Sequence, residues 1–154
     1  MFLGVALSIF VVEAQIPLPF PLPGLKLGLS NIVTLLALVY LSPLEAFLIL
    51  TSRILLGAIF TGSPSALIYS LSGGFVCLLA EVLLFKSIGK NFIIEISIIG
   101  AVLHNITQIL CAFSITKTMA VFYYLPYLLI AAIITGAFCG LCVKLTDKKL
   151  KRAD

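Results

Sequence analysis

Ile16-Pro-Leu-Pro-Phe-Pro-Leu-Pro-Gly-Leu-Lys-Leu-Gly-Leu-Ser-Asn31 places four prolines, Pro17, Pro19, Pro21 and Pro23, at every second position of an apolar stretch. Proline lacks an amide donor and fixes φ, so this stretch is expected to run extended to a turn at Gly24. The segments on either side, Phe2 to Ala14 and Leu27 to Leu41, read as membrane helices. In hydrocarbon an unpaired backbone group costs several kcal/mol, so non-helical apolar backbone belongs against protein or a cavity. Residues 16–26 are therefore read as an ordered external loop, a lid or re-entrant segment beside a binding site. The alternative is a surface loop whose prolines only stop a helix.

Composition supports the membrane reading. The chain has 154 residues, of which 62% are hydrophobic and 10% charged. A soluble domain is about 45–50% apolar and about 25% charged. Apolar segments recur down the whole chain, and no basic region precedes the first, so a signal peptide does not account for them. No charge-rich or low-complexity linker divides the sequence, and residues 1–154 read as a single transmembrane domain. The net charge of +4 comes largely from the tail 144–154, with Lys144, Lys148, Lys149, Lys151 and Arg152. Such a run marks the cytoplasmic side of a membrane better than it marks a nucleic-acid site, and no nucleic-acid partner is expected. The four cysteines, Cys77, Cys111, Cys139 and Cys142, all fall in apolar segments. Cys139-x-x-Cys142 has no second pair or clustered His beside it, so the cysteines read as small packing residues and no metal site is expected.

A span needs about 20 apolar residues. Besides the first two, the candidates are Leu44 to Thr61, Ser65 to Phe85, Phe92 to Thr116 and Ala120 to Val143. The expected fold is all-α, an integral membrane bundle of six helices; five is the rival count, because the second and third spans are short and tightly joined. With six, one side carries Lys86, Lys90 and the basic tail, and the other only Lys26 and Lys117. The positive-inside rule then puts both termini in the cytoplasm and the Pro-rich loop outside.

Polar residues at membrane depth point to function or to a partner. Arg53 falls near the middle of the third span, and Glu81 on the next, antiparallel helix lies within its reach. The two are expected to form a structural ion pair, with Glu13 as rival partner. Glu45, just after Ser42-Pro43, reads as a carboxylate offsetting a helix macrodipole. His104 and Gln108 are spaced i, i+4 on one face of the fifth span, with Asn105 offset by about 100°. Three strong hydrogen-bonding groups in about one turn are costly unless they line a cavity or meet polar neighbours, interhelical glue being the bland reading. Glu13, Gln15, Asn31 and Thr34 fall at similar outer depth. Glu13, Gln15, Asn31, His104, Asn105 and Gln108 are the candidate substrate-binding residues. Ala132-x-x-x-Gly136-x-x-x-Gly140 and Gly73-Gly74 are read as sites of close helix approach.

Several blocks occur in order: Glu13; Ile16 to Thr34; Ser52-Arg-Ile-Leu55; Tyr69-Ser-Leu-Ser-Gly-Gly74; His104-Asn105 with Gln108; and Tyr123-Tyr-Leu-Pro126. Together they resemble the Gx transporter family, also labelled heptaprenyl diphosphate synthase component I. The likeness runs from about Leu3 to Val143. The Leu25-Lys-Leu-Gly-Leu-Ser-Asn31 block also looks like the substrate-binding S components of energy-coupling factor transporters. That resemblance implies six helices holding a small molecule near the outer face under the loop after the first helix. It further implies partner ATPases and a transmembrane coupling protein. Prenyl diphosphate synthases hold Mg²⁺ and diphosphate through Asp-rich DDxxD motifs, since hard cations need carboxylate oxygens. This chain has only Asp147 and Asp154, and no Gly-rich phosphate loop, so it is not expected to be an enzyme. The leading expectation is a membrane-embedded substrate-binding subunit. The alternative is a non-catalytic accessory membrane protein of isoprenoid or quinone biosynthesis, or of a flavin-based electron-transfer system. The sequence names neither a substrate nor a cofactor.

Overall fold

The computed structural model describes residues 31–61 and 64–150. The expected first span, the Pro-rich loop 16–26 with Glu13 and Gln15, and the end of the basic tail lie outside the described residues. Within them the chain is all-helical. It has five α-helices: α1 (Asn31–Tyr40), α2 (Pro43–Thr61), α3 (Pro64–Ile88), α4 (Ile93–Thr116) and α5 (Leu125–Leu150).

Local chemistry sets the joints. The α1–α2 turn is a capping box: Ser42 Oγ accepts from the Glu45 amide at 3.2 Å and donates to Glu45 Oε2 at 2.8 Å. Pro43, the first residue of α2, occupies a position where its missing N–H is not needed. Glu45, expected to offset a helix macrodipole, therefore also closes the cap. α3 ends at Gly89, whose φ of 79° and ψ of 179° suit only glycine. A 3₁₀ turn, Lys90–Phe92, then reverses the chain into α4. α4 ends on Lys117 in the left-handed region, with its amide bonded to Phe113 O at 2.8 Å. A second 3₁₀ segment, Met119–Tyr124, leads into α5.

The basic tail is largely helical. The sixth span was expected to end at Val143, but α5 continues to Leu150, carrying Lys144, Lys148 and Lys149. Loss of hydrophobicity marks the edge of a bilayer, not the end of a helix, and cations are favourable in a last helical turn. The start differs too: residues 119–124, expected as helix from Ala120, form the 3₁₀ segment instead.

Among the described residues three stretches are long and apolar enough to cross a bilayer: Leu67–Ile88, Lys90–Thr116 and Met119–Lys149. α1, with ten described residues, would rise only about 15 Å. The structure thus supports an all-helical protein with three long apolar helices; the count of six spans is not reached among the described residues. Large apolar side chains face outward along the bundle, among them Ile59 at 74%, Ile134 at 64% and Leu83 at 58% exposure. In water this surface would be costly; against lipid tails it costs nothing.

α4 is the central helix, packed against both α3 and α5, while α1 touches α2, α3 and α5. One apolar cluster gathers Leu35, Leu38, Ala46, Leu50, Ile54, Leu78, Ile93 and Val143. A second, formed by Tyr69, Ile109, Ala112, Val121 and Leu128, lies at the other end of α4. The expected small-residue seam on α5 holds: Ala132, Gly136 and Gly140 are buried. A Cβ added at Gly140 would lie 2.6 Å from Ile94 Cα, and one at Gly136 2.8 Å from Ile98 Cα. Backbone faces backbone there, so no side chain can yield. Gly140→Leu is expected to destabilise the protein by about 1–3 kcal/mol or more by prying α5 from α4. A lowered melting temperature of the detergent-purified protein would register this; an unchanged one would show that the helices do not depend on the seam.

Candidate functional site

Between the two apolar clusters, α3 and α4 face each other through polar residues at one-turn spacing. On α3 the face reads Gly73, Cys77, Glu81; on α4 it reads Gly100, His104, Gln108. Residues four apart share a helix face, and the helices run antiparallel, so Gly73 meets His104 and Gln108 while Cys77 and Glu81 meet Gly100. A Cβ at Gly73 would sit 3.0 Å from Gln108 Cγ and 3.0 Å from His104 O. A Cβ at Gly100 would sit 2.9 Å from Glu81 Oε1 and 3.1 Å from Cys77 Sγ. Each glycine is the space into which the opposite helix places a polar side chain.

His104, Asn105, Gln108 and Asn31 are all buried, Gln108 completely. The structure divides them by role. Asn105 turns to α5 and donates from Nδ2 to Leu128 O at 2.8 Å, an interhelical bond. His104 packs against Gly73, its Cε1 3.1 Å from where a Cβ there would sit, and its Nδ1 is buried with no hydrogen-bond partner among the described residues. Gln108 Nε2 and Oε1 likewise have none, nor does Thr34 Oγ1 on α1. A buried polar group without a partner costs about 1–3 kcal/mol, so such groups normally meet water or a ligand. Here an imidazole nitrogen and both ends of an amide belong to α4 and a hydroxyl to α1, two helices that both pack against α3.

Arg53 and Glu81 are both buried, at 5% and 2% exposure. They are joined through a relay. Arg53 Nη2 donates to Asn31 Oδ1 at 3.3 Å, Asn31 Nδ2 to Cys77 Sγ at 3.8 Å, and Cys77 to Glu81 Oε1 at 3.6 Å. Glu81 Oε2 has no hydrogen-bond partner among the described residues. Asn31, expected only as a substrate-binding residue, therefore also holds the buried guanidinium. Cys77, read as a packing residue, carries part of the link. The signal for it was the i, i+4 spacing of Gly73, Cys77 and Glu81, which marks a polar face on α3. All four cysteines are free thiols.

A protein-family model for heptaprenyl diphosphate synthase component I matches residues 2–146. The chain belongs to this family. No curated protein and no solved structure matches it. In this component I family member the match takes in the whole of α1 to α4, both polar faces included, and α5 as far as Thr146.

Two tests separate the roles. Asn105→Ala should cost about 1–3 kcal/mol of stability, whereas Gln108→Leu, which removes an unpartnered amide of similar size, should be neutral or stabilising without ligand. Unfolding in mixed detergent micelles measures both; an equal loss at Gln108 would make its amide part of the helix packing. For the relay, a double-mutant cycle of Arg53→Ala and Glu81→Gln should give a coupling of about 0.5–3 kcal/mol. Simple additivity would show the two charges to be independent.

Proposed function

We propose that this protein is a non-catalytic, membrane-embedded binding subunit that holds a small polar molecule between α1, α3 and α4. One observation carries the reading: Gln108 is fully buried while both ends of its amide lack a hydrogen-bond partner among the described residues. His104 Nδ1, one turn away on α4, adds a second unpartnered group, and Thr34 Oγ1 on α1 a third, among the described residues. The Gln108 amide presents one donor and one acceptor, so the ligand expected here offers an acceptor and a donor close together. The apolar clusters on either side would supply the walls.

The finer picture extends this reading. Six spans, with the first at Phe2 to Ala14, would bring Glu13 and Gln15 to the same site, under the Pro-rich loop 16–26. Asn105 would serve it indirectly, by fixing α5 against α4. The positive charges favour cytoplasmic termini in the cell membrane, with the site opening outward. An arrangement resembling an S component would draw energy from partner ATPases through a coupling protein. The family description favours a second reading, a membrane component that accompanies a separate prenyl diphosphate synthase.

Native mass spectrometry of gently purified protein is expected to show a retained small molecule, lost in His104→Ala and Gln108→Ala variants that still insert and elute as the wild type does. Full retention in both variants would place the site elsewhere. A synthase co-purifying with a ligand-free chain would favour the second reading. Single cysteines at Lys26 and Lys149, in a background without the native thiols, should label from opposite sides of the membrane; labelling from one side would overturn the topology.

A further inference from the structure

At the end of the bundle opposite the second apolar cluster, the last turn of α1, the start of α4 and the basic turns of α5 enclose a recess. It is shallow, with a volume of about 30 Å³, opens on its solvent side, and is lined by Val39, Lys90, Ile93, Val143, Lys144 and Asp147. The floor is apolar and buried: Val39, Ile93 and Val143 are all at most 9% exposed. Two of its three charged groups are held in place. Lys90 Nζ donates to Val39 O at 3.3 Å and lies 5.9 Å from the centroid of the Tyr40 ring. Asp147 Oδ1 accepts from Tyr40 OH at 3.0 Å.

We propose that this recess binds the phosphate group of an anionic ligand, and that its apolar rim selects one carrying a hydrocarbon chain. The Lys90 ammonium spends one of its three donors on Val39 O, leaving two to turn to an anion. Lys144 lines the same space, and Asp147, the one carboxylate in it, is already engaged by Tyr40. Lys86, Lys148 and Lys149 on the neighbouring turns outnumber Glu45 and Glu95, so the field at this end is positive. α4 starts here at Ile93 with no side-chain cap, adding backbone N–H groups that favour an anion. Exposed Leu41, Phe92 and Leu145, at 42%, 49% and 52%, flank the lining residues in sequence and offer a chain an apolar surface. Lysine heads over a buried apolar floor at a helix-bundle end fit a phosphate amphiphile better than a bare ion. The inference needs only a membrane-embedded bundle and is independent of the site at Gln108.

The test uses the full chain in nanodiscs of phosphatidylcholine doped with phosphatidic acid, with bound lipid counted by native mass spectrometry. Phosphatidic acid should be retained, and its affinity should fall about fivefold for each of Lys90→Gln and Lys144→Gln. Lys144 is exposed, so its variant tests the site even if Lys90→Gln loosens the α1–α4 contact. Lys86→Gln, which removes the same charge outside the recess, should have little effect. Equal losses for all three variants, or none for Lys144→Gln, would overturn the proposal. Inorganic diphosphate separates the sources: failure to displace the lipid supports an amphiphile, and full displacement would overturn the chain-selecting rim in favour of a free phosphate ligand.

Discussion

The approach of α4 to its neighbours at glycine distance is the constraint on which the rest of the structure depends. Gly136 and Gly140 bring α5 so near that an added Cβ would meet the backbone of α4. Gly73 and Gly100 do the same between α3 and α4, but there the space is filled by polar side chains. Lipid tails are as apolar as leucine, so helices in a bilayer gain little from burying apolar surface against each other. They associate through close packing and interhelical hydrogen bonds instead. The same small residues that give contact between α4 and α5 make room for chemistry between α3 and α4.

Polar groups placed in that room follow two rules. Some are matched within the protein: Asn105 reaches Leu128 O, and Arg53, Asn31, Cys77 and Glu81 form a chain across α1, α2 and α3. Others have no hydrogen-bond partner among the described residues, with Gln108 the clearest. Keeping a fully buried amide without a partner works against stability, and a packing role alone would be served by leucine. On the proposed reading, that asymmetry separates Gln108 from Asn105, which lies in the same helical turn and bonds α5.

The opposite end of the bundle obeys different physics. There the helices emerge from their apolar surroundings, and lysines from the 3₁₀ turn and from α5 gather over buried Val39, Ile93 and Val143. Tyr40 ties the end of α1 to Asp147, and Lys90 caps the same helix through Val39 O. These contacts hold α1, the shortest of the described helices, against α5 and the 3₁₀ turn that leads into α4.

The sequence by itself determined the class of this protein. Its hydrophobicity and its proline and glycine breaks place the described ends of α1 to α4 to within a few residues, because those signals act over one or two turns, whereas α5 both begins and ends later than they indicate. The shared face of His104 and Gln108, and the offset of Asn105, follow from helical period alone. Tertiary structure decided what lies across from each face. Helical period cannot tell that Asn105 looks to α5 while Gln108 looks to Gly73, nor that Asn31 and Cys77 stand between Arg53 and Glu81. Nor could hydropathy show that α5 runs on through Lys144 and Lys149, since backbone hydrogen bonding continues where the apolar pattern stops. Those outcomes depend on how deep each helix sits and how closely it approaches its neighbour. The missing side chains of Gly73, Gly100, Gly136 and Gly140 set both.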